Sequence, residues 1–200
     1  LRGMMHSKQA KGRKHLITTT FEHPAVLQTA RALEKEGFRV TYLPVDLTGT
    51  VDLKALEDAI CEDTALVSIM AANNEIGTIQ PIAEIGRICK SKGVTFHTDA
   101  VQAYGHMPID VSEMNIDILS LSAHKICGPK GVGAIYIRSG LMLDPVITGG
   151  GQEKNRRSGT ENVAGIVGLG EAARIKFEGM EQENARLRKM QRRLIDGVLS

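Results

Sequence analysis

Apolar residues in this chain fall into short runs separated by stretches where they recur every three or four positions, so strands and helices are predicted in turn. His15–Thr19, Arg39–Leu43, Thr64–Met70, Val94–Thr98, Ile116–Ser122 and Val132–Ile137 have the content of strands. Pro24 opens a helix with Val26, Leu27, Ala30 and Leu33 on one face, and Gly37 stops it. Asp52 caps a helix through Ile60, and Pro81 starts another with Ile82, Ile85 and Ile88 inward, ending at Gly93. Glu161 to Phe177 and Glu181 to Leu199 read as two longer helices. The second carries Leu187, Met190, Leu194 and Val198 on one face, and its basic run from Arg186 to Arg193 reads as a solvated face. The alternation implies an α/β fold, a mainly parallel sheet with helices on both faces. The Gly-rich link between the last two strands is too short for a helical crossover, so that pair is expected to run antiparallel.

Composition narrows the function. The chain has 200 residues, 42% hydrophobic and 24% charged, with a formal net charge of +2. No bulk positive field is available for nucleic acid or a membrane surface, and no apolar run is long enough to span a bilayer. Cys61, Cys89 and Cys127 form no C-x-x-C, so neither a disulfide framework nor a structural zinc cluster is encoded, and a reducing cytoplasm is the expected compartment. The chain opens on Leu1-Arg2 and closes on Ser200 just after a helical pattern, which reads as a segment cut from a longer protein.

In an open parallel sheet, ligands gather beyond the carboxyl ends of the strands. Those positions hold Phe21-Glu22-His23, Asn73-Asn74-Glu75-Ile76-Gly77, His97-Thr98-Asp99-Ala100-Val101-Gln102, Ala123-His124-Lys125 and Gly128-Pro129-Lys130-Gly131. The glycines match neither a P-loop nor a dinucleotide fingerprint. A metal site from His97 and Asp99 lacks H-x-x-x-H or H-E-x-x-H spacing, and G-x-S-x-G is absent. A lysine at a strand end beside a hydroxyl and a His suits an amine nucleophile that forms a Schiff base. Pyridoxal 5'-phosphate asks for such a lysine, a carboxylate for the ring nitrogen, a flat group over the ring and small donors for the phosphate. Lys125, Asp99, His23 and the Ser122/His124 pair are one candidate for each.

Ser122-Ala123-His124-Lys125-Ile126-Cys127-Gly128-Pro129-Lys130-Gly131 resembles the lysine segment of the cysteine desulfurases, in the class V aminotransferase superfamily. Asn73–Gly77, His97–Gln102 and Arg157-Ser158-Gly159-Thr160 match in the same order. Glu22–Leu27 and Gly159–Gly165 are similar to the nitrogen-fixation and iron–sulfur-cluster type. The resemblance implies the large domain of a fold type I transferase over residues 1–200, truncated at both ends, with the small domain and its persulfide-forming cysteine expected beyond Ser200. It implies a homodimer that converts L-cysteine to L-alanine and passes sulfur to a cysteine persulfide. A cluster scaffold, tRNA thiolation or a nitrogenase pathway would then be served. Lys125 would carry the cofactor and move protons, Asp99 would pair with the ring nitrogen, and His23 would stack on the ring. Asn74 and Gln102 would bond the phenolic oxygen, Ser122 and His124 the phosphate, and Thr160 the phosphate of the partner subunit's cofactor.

Plainer roles stand beside these. Asp99 suits a turn cap, His23 the start of a helix, Asn74 a turn, and Ser158-Gly159-Thr160-Glu161 a capping box. Cys89 reads as a core residue, Cys61 as remote from the crevice and Cys127 as packing, so this segment alone is not expected to complete desulfuration. The competing functions are a selenocysteine lyase or other class V lyase, a general aminotransferase, and a non-enzymatic dimerisation and docking module built on the long helices.

Overall fold

A computed structural model of the chain describes residues 1–9 and 12–200. Its elements are α1 (Arg2–Gln9), β1 (His15–Thr19), α2 (Pro24–Lys35), β2 (Arg39–Leu43), α3 (Leu53–Ala59), β3 (Thr64–Ser68) and α4 (Ile82–Ser91). There follow β4 (Thr95–Asp99), β5 (Ile118–Ser122), the 3-10 turn η1 (Ala123–Ile126), β6 (Gly133–Ile137), α5 (Gln152–Asn155) and α6 (Val163–Leu199). The strands form one six-stranded sheet in the order β2-β1-β3-β4-β5-β6. All neighbouring pairs are parallel except β5–β6, which is antiparallel as its short link requires.

Alternation along the strands divides the core in two. Ile17, Val67, Phe96 and Leu119 face α3 and α4, where Leu56, Ile82, Ile85 and Cys89 complete one cluster. Leu16, Leu66 and Ile118 face the other side and pack on Met4 and Met5 of α1 and on Ala30 and Leu33 of α2. The Asp52 side chain caps α3 by accepting from the Lys54 and Ala55 amides. The helix α1 has no counterpart in the periodicity reading, because its buried apolar pair among the described side chains, Met4 and Met5, is adjacent and shows no helical repeat.

The two long helices expected from Glu161 onward are one. α6 runs unbroken for 37 residues, and Gly179 lies inside it without a positive φ. No proline interrupts the junction, and Arg174 bonds both Glu171 and Glu178 at 2.6 and 2.7 Å along the same face. The helix is docked on either side of the junction. Phe177 meets Tyr104 edge to face at 5.1 Å, and the Asn184 amide donates to the His106 carbonyl at 2.8 Å. The expected capping box is not made. Asn162 is the cap, its side chain accepting from Gly165 N–H, while the Ser158 hydroxyl donates to the Gly150 carbonyl. Leu187, Met190, Leu194 and Val198 are all exposed. Among the described residues, no helix is long and apolar enough to cross a membrane.

Candidate active site

The sheet order reverses at β1, which has β2 on one side and β3 on the other. The crevice in which such sheets hold ligands therefore falls between the carboxyl ends of β1 and β3, where the chain leaves the sheet in opposite directions. His23 stands at this point as the N-cap of α2. Its Nδ1 accepts the Ala25 N–H at 3.1 Å, so in the neutral ring the proton sits on Nε2. The helix-start role and the site role of His23 thus coexist on one exposed side chain.

Across the crevice, Asp99 ends β4, and its carboxylate accepts from Val101 N–H at 3.0 Å, the turn cap foreseen for it. Burial pushes the carboxyl above the ordinary range, opposed by the Val101 amide and by the nearby His23 ring. An anion desolvated in this way, with one amide as its hydrogen-bond partner, is better matched by a cation than by water. Gln102 is half-buried in the turn just after it.

The loop after β3 is organised by Asn73 rather than by Asn74. The buried Asn73 carbonyl oxygen accepts from the Glu75 and Ile76 amides at 2.8 and 3.0 Å, while its amide donates to the Phe21 carbonyl at 3.1 Å. Turn chemistry sits on Asn73, which leaves Asn74 exposed at the rim. Beyond β5, Ser122 Oγ and His124 Nδ1 face each other at 2.6 Å. Lys125 follows on the exposed side of η1, held by buried Ala123 and Ile126. The turn closes through Cys127 at φ 64° and the Gly128 N–H, which donates to the Ala123 carbonyl at 2.9 Å. Any Cβ on Gly128 would lie 3.0 Å from Ala123 and 3.2 Å from Ala172 of α6, so glycine lets helix and lysine turn touch.

His23 and Asp99 are thus within electrostatic reach of each other, and Ser122 is bonded to His124. Thr160 is exposed on the segment between α5 and α6, and among the described residues its side chain makes no hydrogen bond to the other candidates. Sequence reasoning overlooked Glu22, which is buried beside the carboxyl end of β1. It also left His97 as a metal option. Its Nδ1 faces Ser68 Oγ at 2.8 Å and its Nε2 faces Ser120 Oγ at 2.9 Å, and burial pushes the ring down to about 3. His97 is a neutral link across β3, β4 and β5. A carboxyl or imidazole within three residues of a strand end was the visible signal for both, but burial was not.

Cys89 is buried, which pushes its thiol up to about 12. Cys61 lies at the amino ends of the strands, away from the candidate site, where the Thr64 hydroxyl and the Arg39 guanidinium 3.0 Å away hold its thiol below the ordinary range. Cys127 is exposed rather than packed, because the αL position turns it away from the core.

The same 200 residues have close counterparts. Residues 1–199 match the family of class-V aminotransferases. A cysteine desulfurase, IscS, of Clostridium botulinum is 56% identical over 198 residues, covering 99% of this chain and 50% of that protein. A solved NifS-like protein is 46% identical with a TM-score of 0.94, covering 98% of this chain and 54% of that one. A structure of SspA in complex with cysteine is 45% identical with a TM-score of 0.83, covering 86% of this chain and 50% of that one. The chain spans about half the length of the curated relatives it matches.

Proposed function

The chain belongs to the class-V aminotransferases, and on that premise we propose that it is the cofactor-holding large domain of a pyridoxal-phosphate-dependent cysteine desulfurase. The observation that supports the reading is that His23, Asp99 and the Ser122–Lys125 turn all follow the carboxyl ends of strands, β1, β4 and β5, with His23 within electrostatic reach of Asp99. The similarity to IscS and to a protein solved with cysteine supports L-cysteine as the substrate.

The residues fit pyridoxal phosphate. When bound, it supplies an electron sink for carbanion chemistry at the substrate Cα. Asp99, a half-buried and partly desolvated carboxylate, would hold a proton on the ring nitrogen by charge. Lys125 presents a primary amine from a turn whose neighbours are fixed by packing, which suits both covalent attachment and proton transfer at Nζ. His23 offers a flat ring and an Nε2 proton beside Asp99. Ser122 and His124 would give the phosphate hydroxyl and imidazole donors, with Asn74 and Gln102 at the rim for the phenolic oxygen. Thr160 would serve the cofactor of a second copy in a cytoplasmic homodimer. Sulfur would leave to a cysteine outside these 200 residues, for an acceptor in cluster assembly or tRNA thiolation.

The test is an absorbance titration of the protein with pyridoxal phosphate, then borohydride reduction and peptide mapping. A visible band that shifts on adding L-cysteine, a label on Lys125 and loss of both in Lys125→Ala are expected. A label spread over surface lysines, or a band unchanged in Lys125→Ala, would overturn the assignment.

A further inference from the structure

None of the roles above uses Glu22, although it lies at the centre of the switch point. The residue is 4% exposed and its side chain joins the ends of two strands immediately before the His23 cap of α2. Oε1 accepts from Met70 N–H at 2.8 Å and from the Thr19 hydroxyl at 3.0 Å. Oε2 is buried and has no partner among the described residues. Both donors therefore converge on one oxygen, the pattern of a carboxylic acid whose carbonyl oxygen is Oε1. A carboxylate in the same place would leave half its charge facing no donor. The charged group acting on it from another element is the half-buried Asp99 on β4, and a second negative charge within electrostatic reach disfavours ionisation of Glu22.

We propose that Glu22 stands in the site as a neutral carboxylic acid with its proton on Oε2, a positioning residue that clamps the ends of β1 and β3 where the chain turns into the His23 cap. Asp99, half-buried at the end of β4, is thereby left to carry the negative charge of this part of the site. On the cofactor reading, that leaves one negative charge to meet one cationic ring nitrogen. Burial, with Asp99 adding to it, raises Glu22 to about 8, consistent with the acid form at neutral pH. The Glu22 proton is part of the charge balance, whereas the Asp99 charge does the pairing.

Infrared difference spectroscopy of the cofactor-free protein reads this without activity. At pH 6.5 wild type should show the carbonyl stretch of a protonated carboxyl that Glu22→Gln lacks, fading as pH rises through about 8. Asp99→Asn, by removing the facing charge, should move that midpoint to lower pH. Glu22→Gln reproduces the neutral shape and should keep labelling at Lys125 within about twofold, where Glu22→Ala, which strands the Met70 amide, loses it. No Glu22 band at pH 6.5, or a midpoint indifferent to Asp99→Asn, would overturn the inference. Loss of Lys125 labelling in wild type with the band intact would instead overturn the cofactor reading and leave the state of Glu22 standing.

Discussion

The same substitution at two places on α6 should change stability in opposite directions. A Cβ on Gly168 would lie 2.5 Å from Cγ and 3.0 Å from Cδ of Pro129, in the loop that follows the lysine turn. Carbon atoms rest at about 3.5–4.0 Å, so helix and loop must part by about 1 Å. The obstacle is a ring closed onto the backbone, which cannot swing aside as a free side chain would. Overpacking of this kind costs roughly 1–3 kcal/mol, against about 1 kcal/mol gained from alanine's helix propensity. A 2.5 Å approach to a rigid ring belongs to the upper part of that range, about 2–3 kcal/mol. Gly168→Ala should therefore lose about 1–2 kcal/mol net, and because Pro129 follows the η1 turn, cofactor labelling at Lys125 should slow as well. Gly179 has nothing within 4 Å of its added Cβ and lies between the Phe177 and Asn184 anchors. Gly179→Ala should gain about 0.5–1 kcal/mol. In urea, with a slope near 2 kcal/mol per M, the midpoints should move by about 0.5–1 M down and about 0.3–0.5 M up. A Gly168→Ala protein as stable as wild type would refute the packing argument. A destabilised Gly179→Ala protein would mean that α6 is broken at the junction after all.

Acid should act through His97. Burial holds its ring at about 3 in the folded protein, against 6.5 when unfolded, so the unfolded chain takes up the proton first as pH falls. Its contribution is complete above pH 6.5 and shrinks below it, by roughly 2 kcal/mol at pH 5. Urea midpoints of wild type and His97→Gln between pH 7 and 5 should show a shallower acid slope in the variant, and parallel slopes would contradict this. Thiol reactivity should be ordered by environment: iodoacetamide at neutral pH alkylates Cys61 well before Cys89, which reacts only after unfolding. Native-state labelling of Cys89 at the rate of Cys61 would count against the burial of α4.

Much of the architecture was legible because period and punctuation are local. Five parallel strands and one antiparallel partner follow from apolar runs and link lengths, and Asp52 caps its helix as its position before an apolar repeat requires. The candidate chemistry was legible for the same reason, since Asp99, Lys125 and His23 all sit at strand ends. The resemblance to the desulfurases added their roles. What failed depended on neighbours far along the chain. α6 reads as two helices until Tyr104 and His106 are seen docking it on both sides of Gly179. Ser158 reads as a cap until its hydroxyl is found on Gly150, and Asn73 passes unnoticed beside Asn74 until Phe21 appears within its reach.

The amino-acid sequence by itself determined which residues could carry charge, protons and a covalent bond, because those properties belong to side chains and their order. The tertiary structure decided which of them are charged. Glu22 and Asp99 are both carboxyls next to strand ends, yet Met70 and Thr19 meet only one oxygen of Glu22 while Asp99 keeps an amide partner and a neighbouring imidazole. Protonation follows desolvation and the facing charges, and both are set by residues that the fold alone brings together.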